Sequence, residues 1–174
     1  NYGEDKLYLL EQVDWRNNYE GNNMLGAGYA GVNLPFGKWN IYAGVRFEHS
    51  RMELISNTQK NEKSPTSVYY TYDDFFPSLN AAYRLNEQHQ FRLSYGRTVN
   101  RPEFREVSSS VYYDFDLASN VQGNYDLKAA YIDNIDLGYE YYPSNGELIS
   151  VSLFYKKFKN PIEWTYTAVS YTHL

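Results

Sequence analysis

Gly26, Gly28 and Gly31, in "GAGYAG", have the G-x-G-x-x-G spacing that cradles a dinucleotide phosphate when a strand precedes it and a helix follows. Here Pro35 and a strand pattern from Trp39 follow, leaving no room for a helix. The glycines instead relieve crowding in a strand or mark close approach of another segment. His49, His89 and His173 are scattered without zinc-ligand spacing, and read as surface histidines. No G-x-S-x-G element is present. Asp73 and Asp74 could be a carboxylate pair, but adjacent residues of a strand point to opposite faces, and they read as a solvated loop end. Arg101, Glu103 and Arg105 in "RPEFRE" form either a salt-bridged loop base or a ligand clamp. The stretches 67–76 and 108–117 are rich in Tyr, Phe and Asp. Such residues either pack in an aromatic belt or stack on a ligand ring while carboxylates accept hydrogen bonds from its hydroxyls. The candidate ligand contacts are Tyr69, Tyr70, Tyr72, Asp73, Arg101, Arg105, Tyr112, Tyr113 and Phe115. No catalytic constellation, cofactor site or metal site is read.

The elements that must position these residues are strands. Over 39–47, Trp39, Ile41, Ala43, Val45 and Phe47 alternate with Asn40, Tyr42, Gly44 and Arg46. Leu79, Ala81, Tyr83 and Leu85 share one face, as do Phe91, Leu93 and Tyr95. Ile135, Leu137, Tyr139 and Tyr141 do the same, and so do Ile149, Val151, Leu153 and Tyr155. This period of two predicts strands at 38–50, 74–85, 90–99, 131–142 and 148–158. A weaker one at 23–34 is blurred by glycines, and two further candidates lie at 6–14 and 161–171. Phe154 is a misfit among polar residues. No helical periodicity of useful length is found.

Short turns at "PFGK", "NEQH" and "PSNGE" alternate with long gaps at 51–73 and 100–130. Pro102 has no amide hydrogen, so strand pairing is expected to stop there. Tyr112, Tyr113 and Phe115 are expected to lie in the loop and pair with no strand.

Bulk properties narrow the class. The chain has 174 residues, a net charge of −5 and no cysteine. A nucleic-acid role driven by a basic surface and a disulfide framework are therefore not expected. The 20 Tyr residues are the outlier. Mean hydropathy is −0.66, which reads as soluble for every class except a transmembrane β-barrel, where only alternate residues meet lipid. The first residues show no basic n-region or cleavage site, so no signal peptide is read. The strands run about 10–12 residues, and a tilted strand needs ~9–11 to cross the hydrocarbon. Loops of 20 or more residues are also uncommon in compact soluble sheets. Two readings stand on these grounds: a wall of barrel strands with Phe91, Leu93 and Tyr95 toward lipid, and a large soluble antiparallel sheet. In the first, Arg46, Glu48, Arg84, Arg92, Asp136, Glu140 and Lys156 face a polar lumen.

The segments "DDFFPSLNAAYRLNEQHQFRLSYGRTVNRPEFREV" (73–107), "GNYDLKAAYIDNIDLGYEYYP" (123–143) and "GELISVSLFYKKFKNPIEW" (146–164) resemble the barrel of TonB-dependent receptors of the Bacteroidetes type. That family carries "FFPSLN", "RLSYSRTxxRP", "GNPxLKPE" and "SVSxFYKxxxxPI". The departures are Tyr125 and Ala129 in place of proline, and Ala130 in place of the acid. The resemblance implies an all-β fold, an antiparallel meander of six to eight long strands forming an arc of an outer-membrane β-barrel over 1–174, without a plug domain. It implies a non-enzymatic role in active uptake of an iron chelate, glycan or peptide across the bacterial outer membrane. The implied partners are outer-membrane lipid, the receptor's own plug and remaining strands, the TonB system reached through that plug, and a surface lipoprotein as a candidate cap. No nucleic-acid partner is expected. Two other classes remain as alternatives: a small structural or adhesive outer-membrane barrel, and a soluble carbohydrate-binding sheet.

Overall fold

A computed structural model describes residues 14–116 and 118–166. The candidate strand at 6–14 falls almost wholly outside these residues, as do the end of 161–171 and His173. Residues 161–166 carry no regular structure.

Among the described residues eight strands form: β1 (Tyr19–Phe36), β2 (Trp39–Asn57), β3 (Pro65–Arg84), β4 (His89–Asn100), β5 (Val111–Asp114), β6 (Ser119–Gln122), β7 (Ala130–Tyr141) and β8 (Ile149–Lys159). Six of them make one sheet in the order β1-β2-β3-β4-β7-β8. Within it β3–β4, β4–β7 and β7–β8 pair antiparallel. The meander expected from the alternation is therefore present.

The register keeps like faces together. Tyr83 pairs with Phe91 and Ala81 with Leu93. Phe91 pairs with Tyr139, Leu93 with Leu137 and Tyr95 with Ile135. Ile135 pairs with Tyr155, and Leu137 with Leu153. A slip of one residue would mix these faces, so the pattern fixes the pairing. Val45, Phe75, Leu93, Leu137 and Leu153 all leave 39% or more of their surface exposed, so the apolar face has no protein cover. The opposite face lines a concavity of about 1310 Å³, with Tyr42, Asn80, Arg92, Asp136, Glu140 and Ser152 among its walls. On this face Arg92 Nε lies 3.1 Å from Glu140, Arg46 Nε lies 2.7 Å from Glu48, and Ser94 donates to Asp136 at 3.3 Å. At Gly31 a Cβ would meet the Tyr42 hydroxyl at 2.5 Å, so this glycine does relieve crowding.

The three short turns lie side by side. Arg84 N–H donates to Lys38 O and Lys38 Nζ to Leu85 O, while Tyr142 N–H donates to Gln88 O. Near this rim the exposed face carries an aromatic row: Trp39 on Tyr83 at 4.6 Å, and Phe91 on Tyr139 at 5.0 Å.

Two expectations are corrected. The gap 51–73 is not a loop: β2 and β3 run 19 and 20 residues, leaving only 58–64 between them. The sequence hid this because the apolar phase inverts. Up to Phe47 the odd positions are apolar and uncovered; beyond Ser50 the even positions Met52 and Leu54 are buried at 7% and 0% exposure, while Arg51 is exposed. The second correction concerns 100–130, which contains the short helix α1 (Phe104–Val107) and the β5–β6 hairpin. Tyr112 and Tyr113 do pair with a strand, opposite Val121 and Asn120. Four-residue strands are too short to show a periodicity. Strand β4 does end at Asn100, just before Pro102.

Two compact units emerge. One gathers the segment ending at Asn23 with Met52–Tyr70 and Glu103–Asp126; the other gathers Met24–Arg51, Thr71–Pro102 and the segment from Leu127. The first has a small core of its own, with Leu54, Ser56, Val107 and Ser108 almost fully buried. At Gly123 an added Cβ would collide with the carbonyl oxygens of Arg105, Glu106 and Ser108.

In plain buffer the isolated 174-residue chain is expected to aggregate, and in detergent to stay dispersed. Its apolar face is uncovered, and β1 and β8 are sheet edges. Light scattering after size exclusion reads the outcome. A monodisperse monomer with a cooperative melt in plain buffer would overturn the lipid-facing assignment.

Candidate functional site

The nine candidate residues divide between the two units. Tyr72, Asp73 and Arg101 belong to the second, and the other six to the first.

Arg101 follows β4 directly and is clamped by two carboxylates. Its Nη1 lies 2.8 Å from Glu48 and its Nη2 2.8 Å from Asp74. The three side chains are 18%, 12% and 11% exposed. Tyr131 Oη donates to the other Asp74 oxygen at 2.6 Å, and the guanidinium stands 5.7 Å from the Tyr72 ring. Burial by itself would lower the pKa of Arg101, but the hydrogen bonds to Glu48 and Asp74 outweigh it and hold it above the usual value. Arg101 therefore stays charged and serves as the ionic base of the loop. The pair is not a solvated loop end: both residues lie within β3 and Asp74 is buried, while Asp73, as strand parity requires, points away from it and meets His49 Nδ1 at 2.7 Å.

In the first unit Arg105 stacks over the Tyr112 ring at 4.4 Å. Tyr70 Oη donates to Tyr125 O at 2.8 Å, and Tyr69 Oη to Glu53 at 2.9 Å. Glu103 N–H donates to the Glu106 carboxylate at 2.8 Å, which caps α1. Tyr113 and Phe115 form an edge-to-face pair at 5.0 Å and remain 49% and 86% exposed. Thus Tyr72 joins Arg101, Arg105 joins Tyr112, and Tyr113 joins Phe115. The sequence reading missed Glu48 and Asp74 as partners of Arg101, and Tyr131 as a donor to Asp74. Parity did put Glu48 on the inner face; only the path of the chain brings Arg101 to it and to Asp74.

Ala129 and Ala130 are buried at 1% and 4% exposure, so small side chains stand where the family pattern has proline and an acid. Among the described residues no three His, Asp or Glu side chains gather as a metal site.

The model of the TonB dependent receptor-like β-barrel family matches residues 2–173. The chain belongs to this family. Its members are transporters of the bacterial outer membrane rather than enzymes. Among solved structures, a double mutant of the ferric enterobactin receptor from Pseudomonas aeruginosa is similar, with a TM-score of 0.50 and 18% identity. That likeness covers 82% of this chain and 27% of the receptor, and it concerns the fold. This barrel segment thus spans about a quarter of the solved receptor's length. No curated protein matches the chain.

Proposed function

We propose that this chain is a stretch of wall, with its connecting loops, of an outer-membrane TonB-dependent receptor that actively takes up a nutrient too large for porins: an iron chelate, a glycan or a peptide. The observation that carries this reading is the sheet's two-faced register. One face is apolar and uncovered across five strands, and the other is polar and concave. Only a bilayer outside and water or protein inside suit both faces at once. The wall then closes with further strands of the same receptor around its plug, and energy reaches that plug from TonB. A surface lipoprotein is a candidate partner at the loop end.

The nine candidate residues differ in what they favour. Tyr113 and Phe115 hold apolar ring surface exposed, as a ligand contact needs. Arg101, between two carboxylates, favours a structural role. Growth of a deletion strain on candidate nutrients, with uptake measured, tests the transport reading. Unchanged uptake of every class would overturn it.

In the intact receptor, Tyr113→Ala with Phe115→Ala is expected to weaken ligand binding on the order of tenfold, since two exposed rings are lost. Folding should be unchanged, because Tyr112 keeps its contact with Arg105. Labelled-ligand binding to whole cells, beside heat-modifiable gel mobility, checks both halves. Normal binding would return this hairpin to a packing role.

A further inference from the structure

The ring pair Tyr113–Phe115 is exposed, yet the hairpin that carries it is fixed at its base. Gly123 follows β6 directly. A Cβ there would stand 2.7 Å from the carbonyl oxygens of Arg105 and Glu106, and closer still to that of Ser108. These are backbone atoms of α1 and its C-terminal cap, so no side chain can swing aside to make room. Gly37 and Gly146 have positive φ and Gly123 does not. Close approach, and not backbone conformation, therefore selects glycine here.

Both strands of the hairpin start from this point. Beside Gly123, Asn124 N–H donates to Glu106 O at 2.6 Å. On the way into β5, Ser108 Oγ donates to Arg105 O at 3.1 Å and accepts from Ser110 N–H at 3.3 Å. The base is in turn tied to the end of β2 and its surroundings. Ser109 Oγ donates to Asn57 O, Tyr70 Oη to Tyr125 O at 2.8 Å, and Val111 N–H to Asn17 Oδ1 at 2.9 Å. Val107 and Ser108 are fully buried between these ties. Further strands of the receptor can add cover to these groups, but they leave the contacts in place.

The register decides which rings face outward. Tyr112 is opposite Val121 and Tyr113 opposite Asn120, so the two neighbouring rings lie on opposite faces of the hairpin. Arg105 holds Tyr112 from one side at 4.4 Å. Tyr113 and Phe115 stand on the other side. Their place relative to β2 is thus set through Asn57, Ser109, α1 and Gly123 in turn.

We propose that Gly123 is a positioning residue for the ligand contact. By letting the end of β6 pack directly on the α1 carbonyls, it holds the hairpin in one place and presents Tyr113 and Phe115 preformed. Rings held in this way forgo the cost of ordering a mobile hairpin on binding. The inference rests on the ligand-contact reading of the two rings given above.

The test uses the intact receptor with spin labels on Glu62→Cys and Asn120→Cys, two exposed positions in a stretch that has no cysteine of its own. Electron–electron double resonance reads the distance between them. The wild type should give one narrow distribution. In Gly123→Ala the carbonyls must retreat by roughly 1 Å to reach ordinary contact, and the hairpin amplifies this to a shift of about 2 Å at the label. Ser109→Ala, a milder change at the same base, should broaden the distribution. Gly96→Ala, where an added Cβ meets nothing within 4 Å, should leave it as it is. Heat-modifiable mobility confirms that the barrel has folded in each variant. A wild-type distribution in both Gly123→Ala and Ser109→Ala, or an equal shift in Gly96→Ala, would overturn the proposal. Binding of a ferric catecholate, a maltooligosaccharide and an oligopeptide, one probe for each class above, then separates the two readings. For the probe that the wild type binds, Gly123→Ala should weaken binding on the order of tenfold, with no further loss when added to Tyr113→Ala with Phe115→Ala. Further loss in that background would show that Gly123 acts elsewhere and overturn its positioning role. Normal binding by the ring variant, with the label shifted in Gly123→Ala, would overturn the contact reading and leave the steric lock standing.

Discussion

Replacing Arg101 with methionine should cost the intact receptor about 3 kcal/mol of stability, the usual scale when one partner of a largely buried ion pair is removed. The chain of cause is short. Among the described residues Arg101 is the sole cation in contact with Asp74, whose second oxygen takes a hydrogen bond from Tyr131. Glu48 also touches Arg46, so its charge is partly compensated when Arg101 goes. Asp74 therefore bears most of the loss, and its carboxylate, 11% exposed, has little water to turn to. Two consequences follow that a simple packing defect would not produce. Adding Asp74→Asn to Arg101→Met should recover part of the stability, because the uncompensated charge is removed. Adding Glu48→Gln should recover less. Urea unfolding of the reconstituted receptor, followed by tryptophan fluorescence, measures all three. No recovery with Asp74→Asn would show that Arg101 acts through packing of its stem rather than through its charge.

The same cluster shows what the sequence could and could not reveal. Strand parity alone separates Asp73 from Asp74, and the structure puts Asp74 under Arg101 and Asp73 beside His49. Parity is local, since it needs only the pleat. The partner of Asp74 was not legible, because Arg101 and Tyr131 are distant in sequence and meet it through the path of the chain. Strands β4, β7 and β8 were read almost to the residue, since lipid on one side and water on the other impose a single unbroken alternation. The reading failed where the environment changes along one strand. Beyond Ser50 the inward face of β2 becomes the buried one, and Met52 and Leu54 take the apolar positions that Phe47 and Val45 held on the other face. A pattern search that demands one phase sees a strand end there. The β5–β6 hairpin escaped for a different reason. With four residues per strand it offers no period to detect, and its strands are joined by hydrogen bonds the sequence does not advertise.

Leu93→Arg and Ser94→Arg should then have opposite fates, though they are neighbours with the same new side chain. Leu93 is in the middle of the apolar stretch of β4, four residues from both His89 and Arg97, and its in-register neighbours are Ala81 and Leu137. A guanidinium there meets only apolar side chains and hydrocarbon, and near the bilayer midplane it should cost ~2–4 kcal/mol. Ser94 points to the concave face, with Asn80 and Asp136 as its neighbours. An arginine there exchanges the 3.3 Å hydrogen bond of Ser94 Oγ for an ion pair with Asp136, for a net change of about 1 kcal/mol or less in either direction. Reversible folding of the full receptor into phosphatidylcholine vesicles, titrated with urea, gives both values in one experiment. The difference should shrink when the receptor is unfolded from detergent, since a micelle deforms around a charge more readily than a bilayer. Equal costs in vesicles would mean that lipid does not face Leu93, and the assignment of inside and outside would fail for all five strands that share its register.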